Sequence, residues 1–426
     1  MTIRNSKSHL EDILHKCLHC GLCLPVCPTY NLTYNEMSSP RGRIRLMKEV
    51  FEDKLDVSEK FVDEMYFCLD CQACQTICPA GVKYGELVED ARYIISEKRK
   101  EPYALRWFKS VFLGILSSKR LTKLWARILW MYQHSGFQEA TERSGILKLF
   151  SPSLHEKQFL LPKISESFFD ESFPEIIKPD GEVRGRVAFL SGCIMNVAFA
   201  EIHQDAIEVL VKNGFEVVIP MAQVCCGSLH GHNGEINKAK ELARKNIEMF
   251  EQFGFDALII DSAGCGAFIK EYGKIFTDDV EFALRAKQLS NKTKDITEFL
   301  ADIELIPVTT PINKRVTYHE ACHLVHTQKI SKEPRKLIQS IPGIEFVELP
   351  EATWCCGSAG IYNVLRFDDS MKMLERKMNN IASTKTDIVV TANPGCHLQL
   401  QYGMKKNGMN VEVVHPVSLL NRSYSK

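Results

Sequence analysis

The chain carries the stretch CLHCGLCLPVCP at residues 17–28 and repeats its cysteine pattern in CLDCQACQTICP at residues 68–79. Each stretch has three cysteines separated by two residues, then a fourth cysteine that is followed by proline. Three sulfurs at this spacing can bind one face of a compact metal cluster while the chain turns around it. The proline ends the turn, so the fourth sulfur points towards the other stretch. The pattern therefore predicts one small, mostly helical module over residues 1–100, built around two metal clusters.

The cluster type follows from the bacterial ferredoxin pattern, which both stretches match letter for letter. We expect two [4Fe–4S] clusters with exchanged fourth ligands. The first cluster is assigned to Cys17, Cys20, Cys23 and Cys78, and the second to Cys68, Cys71, Cys74 and Cys27. A pair of structural zinc sites is the alternative for the same residues. Thiol redox chemistry at one CxxC pair would leave most of these sulfurs without a role.

Composition and charge exclude several other classes of protein. The 426 residues are 45% hydrophobic, which suits roughly two to four globular domains. The 53 basic and 53 acidic side chains cancel, so no nucleic-acid partner is expected. The first residues have no apolar signal core, and no apolar run approaches the roughly 20 residues of a membrane-spanning helix. We expect a soluble, cytoplasmic protein in which clustered cysteines bind metal rather than form disulfides.

A duplication organises the second half of the chain, where eight further cysteines recur at an offset of 129 to 131 residues. In each copy one apolar strand leads to a single cysteine, a second to Cys-Cys-Gly-Ser, and a third to a last cysteine. These are Cys193, Cys225, Cys226 and Cys265 in the first copy, and Cys322, Cys355, Cys356 and Cys396 in the second. Strands that alternate with helices predict parallel α/β units, whose ligands gather beyond the carboxyl ends of the strands. Each copy is thus expected to bring four sulfurs to one rim of a sheet.

The remaining segments are predicted from capping residues and composition. Helices are expected at residues 40–54, 58–67 and 86–98, and residues 101–185 form a helical connector that ends in a linker. The duplicated domains then span residues 186–310 and 311–426. Aromatic and basic residues alternate over residues 105–131, which fits either a bridge packed against the domains or a face that lies on an anionic membrane surface.

The duplicated pattern resembles the cysteine-rich CCG repeat of the heterodisulfide-reductase subunit family. Together with the ferredoxin-type module, the chain is similar to the iron–sulfur subunits of glycolate oxidase. The matching segments are CLHCGLCLPVCPTY (17–30), PRGRI (40–44), CLDCQACQTICPAGVKY (68–84), AGCGAFIKEYG (263–273), CCGSAGIY (355–362) and VTANPGC (390–396). The resemblance implies a multidomain α+β and α/β protein, with a helical two-cluster ferredoxin-like module followed by two duplicated α/β CCG domains.

One departure from the heterodisulfide-reductase relatives leaves the cofactor of the CCG domains open. Their last motif is CxxC and gives each site five cysteines, whereas Ser262 and Asn393 stand in place of the first of these two cysteines here. Four sulfurs per copy suit a further [4Fe–4S] cluster, a zinc ion, or a cluster with a ligand other than cysteine.

The resemblance implies an electron-transfer subunit of an oxidoreductase complex, with no catalytic residue of its own. No phosphate-binding glycine loop occurs in the sequence, so neither flavin nor NAD is expected on this chain. Iron–sulfur clusters pass single electrons, whereas oxidation of a 2-hydroxy acid releases two, usually to a flavin. We therefore expect an FAD-binding dehydrogenase subunit as the partner. The acceptor would be a quinone or a soluble carrier, with the chain cytoplasmic or peripheral on the inner face of the cytoplasmic membrane.

Three other functions share these motifs. The same architecture occurs in the iron–sulfur subunits of anaerobic glycerol-3-phosphate dehydrogenase and of lactate-utilisation complexes. A heterodisulfide-type thiol–disulfide reductase would act at the CCG cysteines, although the missing fifth cysteines count against it. A scaffold without redox activity would hold zinc in the CCG half.

Several charged and histidine residues have more than one interpretation. The segment His319-Glu-Ala-Cys-His323 spells the zinc-protease motif HExxH, but the repeat places it at the end of a strand, where the two histidines share no helix face. His323 and His397 are candidates to lie near the second CCG site, or to have a packing role. Arg41, Arg43 and Arg45 could raise a cluster potential, dock a partner, or simply be solvated.

Overall fold

The computed structural model describes residues 7–424, and its N-terminal module is helical. No strand occurs among the described residues 7–100. The helices are α1 (Lys7–His15), α2 (Pro28–Thr33), α3 (Pro40–Phe51), α4 (Glu59–Phe67), α5 (Ala73–Ile77) and α6 (Tyr84–Glu97), with a 3₁₀ turn at Glu36–Ser38. Their inward faces bury Leu10, Met47, Met65, Leu87 and Val88 in one core.

Local capping residues set where these helices begin. The hydroxyl of Ser39 accepts a hydrogen bond from the Gly42 amide (3.0 Å) at the start of α3, and that of Ser58 accepts from the Phe61 amide (3.2 Å) at the start of α4. Pro40 occupies the first turn of α3, where its missing N–H costs nothing. The three predicted helices are therefore present, with slightly different ends.

The connector is helical along most of its length, including part of the segment expected to be a linker. Its helices are α7 (Tyr103–Leu116), α8 (Lys119–His134), α9 (Phe137–Ser144), α10 (Leu147–Phe150), α11 (Pro152–Lys157) and α12 (Phe169–Ser172), with a 3₁₀ turn at Gln158–Leu160. Phe169 is fully buried and packs against Phe189 and His203 of the first CCG domain. The sequence shows no periodicity here because single apolar residues, rather than a helical face, anchor the segment.

Both CCG domains are small, mainly parallel sheets with helices on their faces. The first contains β1 (Ile176–Ile177), β2 (Gly185–Phe189), α13 (Ile194–Ala198), α14 (Ala200–Lys212), β3 (Phe215–Val218), α15 (Ser228–His232), α16 (Ile236–Phe250), β4 (Ala257–Ile260), α17 (Ala263–Lys270), a 3₁₀ turn (Tyr272–Ile275), α18 (Val280–Lys292), β5 (Thr293–Asp295) and α19 (Ile296–Asp302). The second contains β6 (Lys314–Tyr318), a π-helical turn (His323–Gln328), α20 (Lys332–Gln339), β7 (Ile344–Phe346), α21 (Tyr362–Leu365), α22 (Phe367–Thr384), β8 (Ile388–Val390), α23 (Pro394–Lys406), β9 (Glu412–Val414) and α24 (Pro416–Ser423).

The strand order confirms the duplication. The first sheet runs β1-β3-β2-β4-β5 and the second runs β7-β6-β8-β9. Without β1, which pairs antiparallel with β3 at one edge, the two sheets have the same order and only parallel pairs. The parallel arrangement places the carboxyl ends of the central strands on one rim in each copy.

The two copies share one hydrophobic core. Val187 and Phe189 of β2 belong to the same buried cluster as Val316 and Tyr318 of β6. Helix α24 of the second copy packs on α14 of the first, where the Asn421 amide donates to Asp205 (2.8 Å). The domain limits at residues 186–310 and 311–426 stay predictions, because the core does not divide between them. Within residues 7–424, the helices are all too short or too polar to span a membrane.

Candidate metal centres

The four cysteines assigned to the first cluster surround one cavity at the surface of the module. Cys17, Cys20, Cys23 and Cys78 line it together with Cys74, Ile44, Val82 and Tyr84. His19 (φ 51°) and Gly21 (φ 87°) adopt left-handed conformations, which turn the chain sharply between the cysteines. No cysteine is paired in a disulfide within residues 7–424. The cavity is thus a sulfur-lined cradle of the kind that a [4Fe–4S] cluster requires.

The cysteines assigned to the second cluster converge in the interior. Burial raises the pKa of Cys74 well above its ordinary value, and the sulfurs of Cys71, Cys27 and Cys68 raise it further. Such mutual influence requires the four sulfurs to be close neighbours. Crowded, buried thiols resist ionisation unless a metal supplies compensating positive charge. The donor set therefore fits a cluster, although the assignment of individual ligands stays a prediction.

Arg43 is the arginine of α3 that faces the second set. It is fully buried, donates to the Glu64 carbonyl (2.8 Å) and to the Thr29 hydroxyl (3.0 Å), and pairs with the Glu64 carboxylate at 3.4 Å. Burial lowers the pKa of Arg43, but Tyr84, Cys68 and Cys27 outweigh it and keep the guanidinium charged. Arg41 and Arg45 instead pair with Glu36 and Glu49. A fixed positive charge beside a cluster is one way in which a protein raises its reduction potential.

In the first CCG domain, the four predicted cysteines meet beyond the ends of β2, β3 and β4. Cys226 and Cys265 have their sulfurs 3.1 Å apart. Hydrogen-bonding contact with Cys225, followed by burial, raises the pKa of Cys193, and Cys225 also contacts Cys226. The strands thus bring together sulfurs that lie up to about seventy residues apart along the chain.

The second CCG domain repeats this arrangement beyond β6, β7 and β8. Hydrogen-bonding contacts join Cys322 to Cys355 and Cys356 to Cys396. The adjacent pair Cys355–Cys356 completes the series. All eight CCG cysteines are therefore grouped as the sequence predicted, while their roles as ligands stay a prediction.

The glycine after each cysteine pair is required by the backbone. Gly227 (φ 86°) and Gly357 (φ 90°) are both left-handed. A Cβ atom on Gly357 would lie 2.6 Å from the Ser370 carbonyl oxygen of α22, and one on Gly227 would lie 3.3 Å from the Ala239 Cα of α16. The backbone thus comes close to a neighbouring helix at this position in both copies.

The two CCG sites meet at the positions where the relatives carry their fifth cysteine. The Ala263 amide donates to the Ala392 carbonyl (3.1 Å), and the Gly264 amide donates to the Asn393 side-chain oxygen (3.1 Å). The Asn393 amide nitrogen in turn donates to the Cys396 sulfur (3.7 Å). Asn393 therefore links one copy to the other, a role that needs a donor and an acceptor on one side chain.

One cavity of about 1660 Å³ joins the two CCG sites and reaches the module at Cys68. Its lining contains all eight CCG cysteines, Cys68 of the second cluster set, and apolar connector residues that include Leu105, Phe108, Phe112, Ile115 and Leu129. Cys71 is an electrostatic neighbour of Cys322 and of Cys355. The sulfurs of the module and of the second CCG domain are thus near enough to influence one another electrostatically.

His232 ties the module to the first CCG domain beside this cavity. Its Nδ1 lies 2.7 Å from the Glu89 carboxylate and 3.4 Å from that of Asp70. Burial lowers the pKa of His232, but hydrogen bonds to Asp70 and Glu89 raise it to about 10. The raised pKa favours a protonated ring at neutral pH, so His232 forms a buried charged contact between the two parts of the chain.

The sequence interpretation missed His319, which lies beside Cys356 and Cys396. It favoured His323 and His397 instead. His323 lines the cavity and contacts the Asp70 carbonyl (3.1 Å), whereas His397 packs on the Phe199 ring. As expected, HExxH does not lie on one helix face, since His319 follows β6 and His323 begins the π-helical turn. The available signal was the repeat, which pairs His319 with the apolar Leu190.

The fold and these sites define an iron–sulfur protein with a ferredoxin-type module and two cysteine-rich domains. Family models match a 4Fe-4S dicluster domain at residues 13–82, a cysteine-rich domain at residues 187–270 and 316–401, and the linker region of the glycolate oxidase iron–sulfur subunit at residues 104–161.

Comparison with curated proteins gives the particular family. The chain is 40% identical over 418 residues to the probable glycolate oxidase iron–sulfur subunit of Bacillus subtilis, which covers 96% of this chain and 94% of the relative. It is 31% identical over 394 residues to the Escherichia coli glycolate oxidase iron–sulfur subunit, with 92% and 90% covered. Lactate utilization protein A of Oceanobacillus iheyensis is 32% identical over 237 residues, 55% of this chain and 96% of its own length. The chain belongs to the family of glycolate oxidase iron–sulfur subunits.

Proposed function

We propose that this chain is the electron-transfer subunit of a glycolate oxidase complex. Its clusters accept electrons from an FAD-binding partner subunit that oxidises glycolate or a related 2-hydroxy acid. The observation that carries the proposal is a series of cysteine sets that leads from the surface of the module to the CCG half. The first set opens at the surface, the second lies inside the module, and its Cys71 neighbours Cys322 and Cys355 of the CCG half.

The cofactors in this proposal are two [4Fe–4S] clusters in the module and a metal, as a further cluster or as zinc, at each CCG site. A bound cluster supplies one-electron redox chemistry. The residues of the chain hold the sulfurs in place and adjust the local charge. The Tyr84 hydroxyl and the Asp70 amide donate to the Cys68 sulfur (3.6 and 3.4 Å), and Arg43 adds a buried positive charge. Both effects favour the reduced cluster.

The surface around the first set suits docking of the flavoprotein. Cys20 is exposed, and the adjacent Leu18 and Leu22 are 75% and 53% exposed. Exposed leucines beside a redox site are typical of a contact surface with a partner protein. A docked subunit would cover these residues and bring its flavin close to the first cluster.

Electrons leave, in this proposal, through the large cavity. The connector closes it with apolar side chains such as Phe108 and Phe112, which suit the ring of a quinone. On the outside of α7 and α8, away from the cavity, Trp107, Val111, Leu124 and Ile128 are exposed. We place this face on the cytoplasmic surface of the membrane. Cosedimentation with anionic lipid vesicles tests this point, and equal recovery of wild type and Trp107→Glu in the pellet would count against it.

The central experiment is anaerobic purification of the chain with its copurifying flavoprotein, followed by addition of glycolate. We expect reduced [4Fe–4S] signals by electron paramagnetic resonance, and about eight iron and eight sulfide per chain for the module alone. Lactate and glycerol 3-phosphate, added separately, test the related dehydrogenase complexes. Clusters that dithionite reduces and glycolate does not would contradict the proposal.

A matched pair of variants tests the docking surface. Leu18→Glu places a charge beside the first set, whereas Leu55→Glu places one on a leucine of the module that is 49% exposed and lies outside this cavity. We expect only Leu18→Glu to slow glycolate-driven reduction, with dithionite reduction unchanged in both. Equal rates in the two variants would move the docking surface elsewhere.

A further inference from the structure

We propose that the second CCG site takes a nitrogen ligand, with His319 binding the metal beside Cys356 and Cys396. The inference rests on the proposed function only in that the CCG sites hold metal. A ring nitrogen of His319 and the two sulfurs all lie within 4.8 Å of one another. Donors around one tetrahedral ion are roughly 3.5–4 Å apart at metal–ligand distances of about 2.0–2.3 Å. Small side-chain shifts therefore suffice for all three to bind.

The surroundings of His319 leave its ring free for this role. The residue is 1% exposed, and neither ring nitrogen has a hydrogen-bond partner. A buried polar atom without a partner costs about 1–3 kcal/mol. Two such atoms on His319 therefore indicate that a ligand completes their surroundings. The backbone is held by a bond from the His319 amide to the Val390 carbonyl (2.9 Å).

The first CCG site lacks this nitrogen. Leu190 occupies the equivalent position, where its amide donates to the Ile259 carbonyl (3.1 Å), the counterpart of the bond made by His319. A different histidine, His230, lies near Cys225. Its Nε2 contacts the Leu113 carbonyl (3.1 Å), and its Nδ1 has no hydrogen-bond partner. His230 does not form a three-donor group with the cysteines in the described structure. The duplicated sites are therefore chemically different: one has four sulfurs, and the other has sulfurs and an imidazole.

The difference predicts which site holds an electron more tightly. Imidazole is neutral and thiolate is negative, so a histidine ligand makes the site less negative and raises the reduction potential of an iron–sulfur cluster. Lys377 acts in the same direction. Its buried ammonium donates to the Glu351 (2.6 Å) and Ala352 (3.2 Å) carbonyls, and it is an electrostatic neighbour of Cys355 and Cys356. If the site next to Cys71 holds an iron–sulfur cluster, His319 and Lys377 would thus favour its reduced state.

The test uses the anaerobically purified full-length chain, reconstituted with ferrous iron and sulfide and reduced with dithionite. Pulsed electron paramagnetic resonance is recorded with natural-abundance and ¹⁵N-labelled histidine. We expect a nitrogen coupling of the strength of a directly bound imidazole. His319→Ala should abolish it and lower the potential of that signal. His323→Gln is the matched control, because it alters a histidine that lines the same cavity, and it should leave the coupling intact.

X-ray absorption at the metal edge covers a site that gives no magnetic signal, including zinc. A nitrogen shell that disappears in His319→Ala supports the proposal. It is overturned by an all-sulfur site, by a nitrogen coupling that survives in His319→Ala, or by a second CCG site that binds no metal. The module clusters report folding in each variant, and His319→Gln preserves side-chain bulk. Glycolate-driven reduction of the module clusters is measured separately in the copurified complex. If glycolate reduces them and no nitrogen ligand is found, this inference fails while the proposed function stands.

Discussion

The module and the CCG half of this chain build sulfur sites in opposite ways. In the module, the cysteines lie in the loops 16–27 and 68–72, on the short α5, and at Cys78 directly after it. The backbone around each set therefore has little regular structure of its own. In the CCG half, parallel strands with a shared hydrophobic core end at the cysteines. The comparison indicates that metal completes the fold of the module, whereas the fold of the CCG half prepares the site before metal binds.

The largest expected effect comes from removing one cysteine in each half. Cys74→Ser should cost the second cluster, about four iron atoms per chain, and expose the loops around it. Cys226→Ser should remove the metal of the first CCG site, while the backbone amides of its sheet stay protected from hydrogen exchange. Metal analysis combined with hydrogen–deuterium exchange measures both. Equal loss of amide protection around the two substituted sites would contradict the proposed difference between the module and the CCG half.

A smaller effect is expected where the two halves meet, at His232. Because its pKa is raised to about 10, its contribution to stability is complete below the unfolded value near 6.5 and disappears as pH rises through about 10. His232→Gln leaves Asp70 and Glu89 buried without their cation, so we expect a loss of about 3 kcal/mol at neutral pH. Denaturant unfolding at pH 7 and at pH 10.5 measures the difference, which should shrink at the higher pH. A pH-independent difference would show that the ring acts only by packing.

The smallest expected effect is on the free energy of unfolding when the glycine after a CCG cysteine pair is replaced. It separates backbone strain from steric crowding at that turn. Gly357→Ala meets both a left-handed backbone and the Ser370 carbonyl, whereas Gly81→Ala in the module meets only a left-handed backbone (φ 66°) with no atom within 4 Å. We expect about 1–2 kcal/mol from backbone strain at either position and an additional loss at Gly357. Urea unfolding of the two variants provides the measurement. A smaller loss for Gly357→Ala than for Gly81→Ala would mean that α22 moves freely away from the cysteine pair.

Local patterns explain what was predictable about the sites. The spacing of Cys17, Cys20 and Cys23 corresponds directly to their shared cavity, because residues this close along the chain cannot separate far in space. The CCG sets were predictable for another reason: the repeat revealed parallel strands, and parallel strands place their carboxyl ends on one rim. Ser39 and Ser58 likewise marked helix starts through short-range caps.

The sequence by itself determined the cysteine groups, the duplication and the family to which the chain belongs, since each depends on neighbours in sequence or on a repeated pattern. Only the tertiary structure decided that Arg43 is buried beside the second cluster set, that α24 packs on the other copy, and that His319 faces Cys356 and Cys396. Each of these contacts joins segments that are distant along the chain, and a side chain's burial and partners depend on how whole elements pack. The spacing of the cysteines does not determine which distant side chains pack around them. Two copies with the same cysteine pattern can therefore form sites of different chemistry.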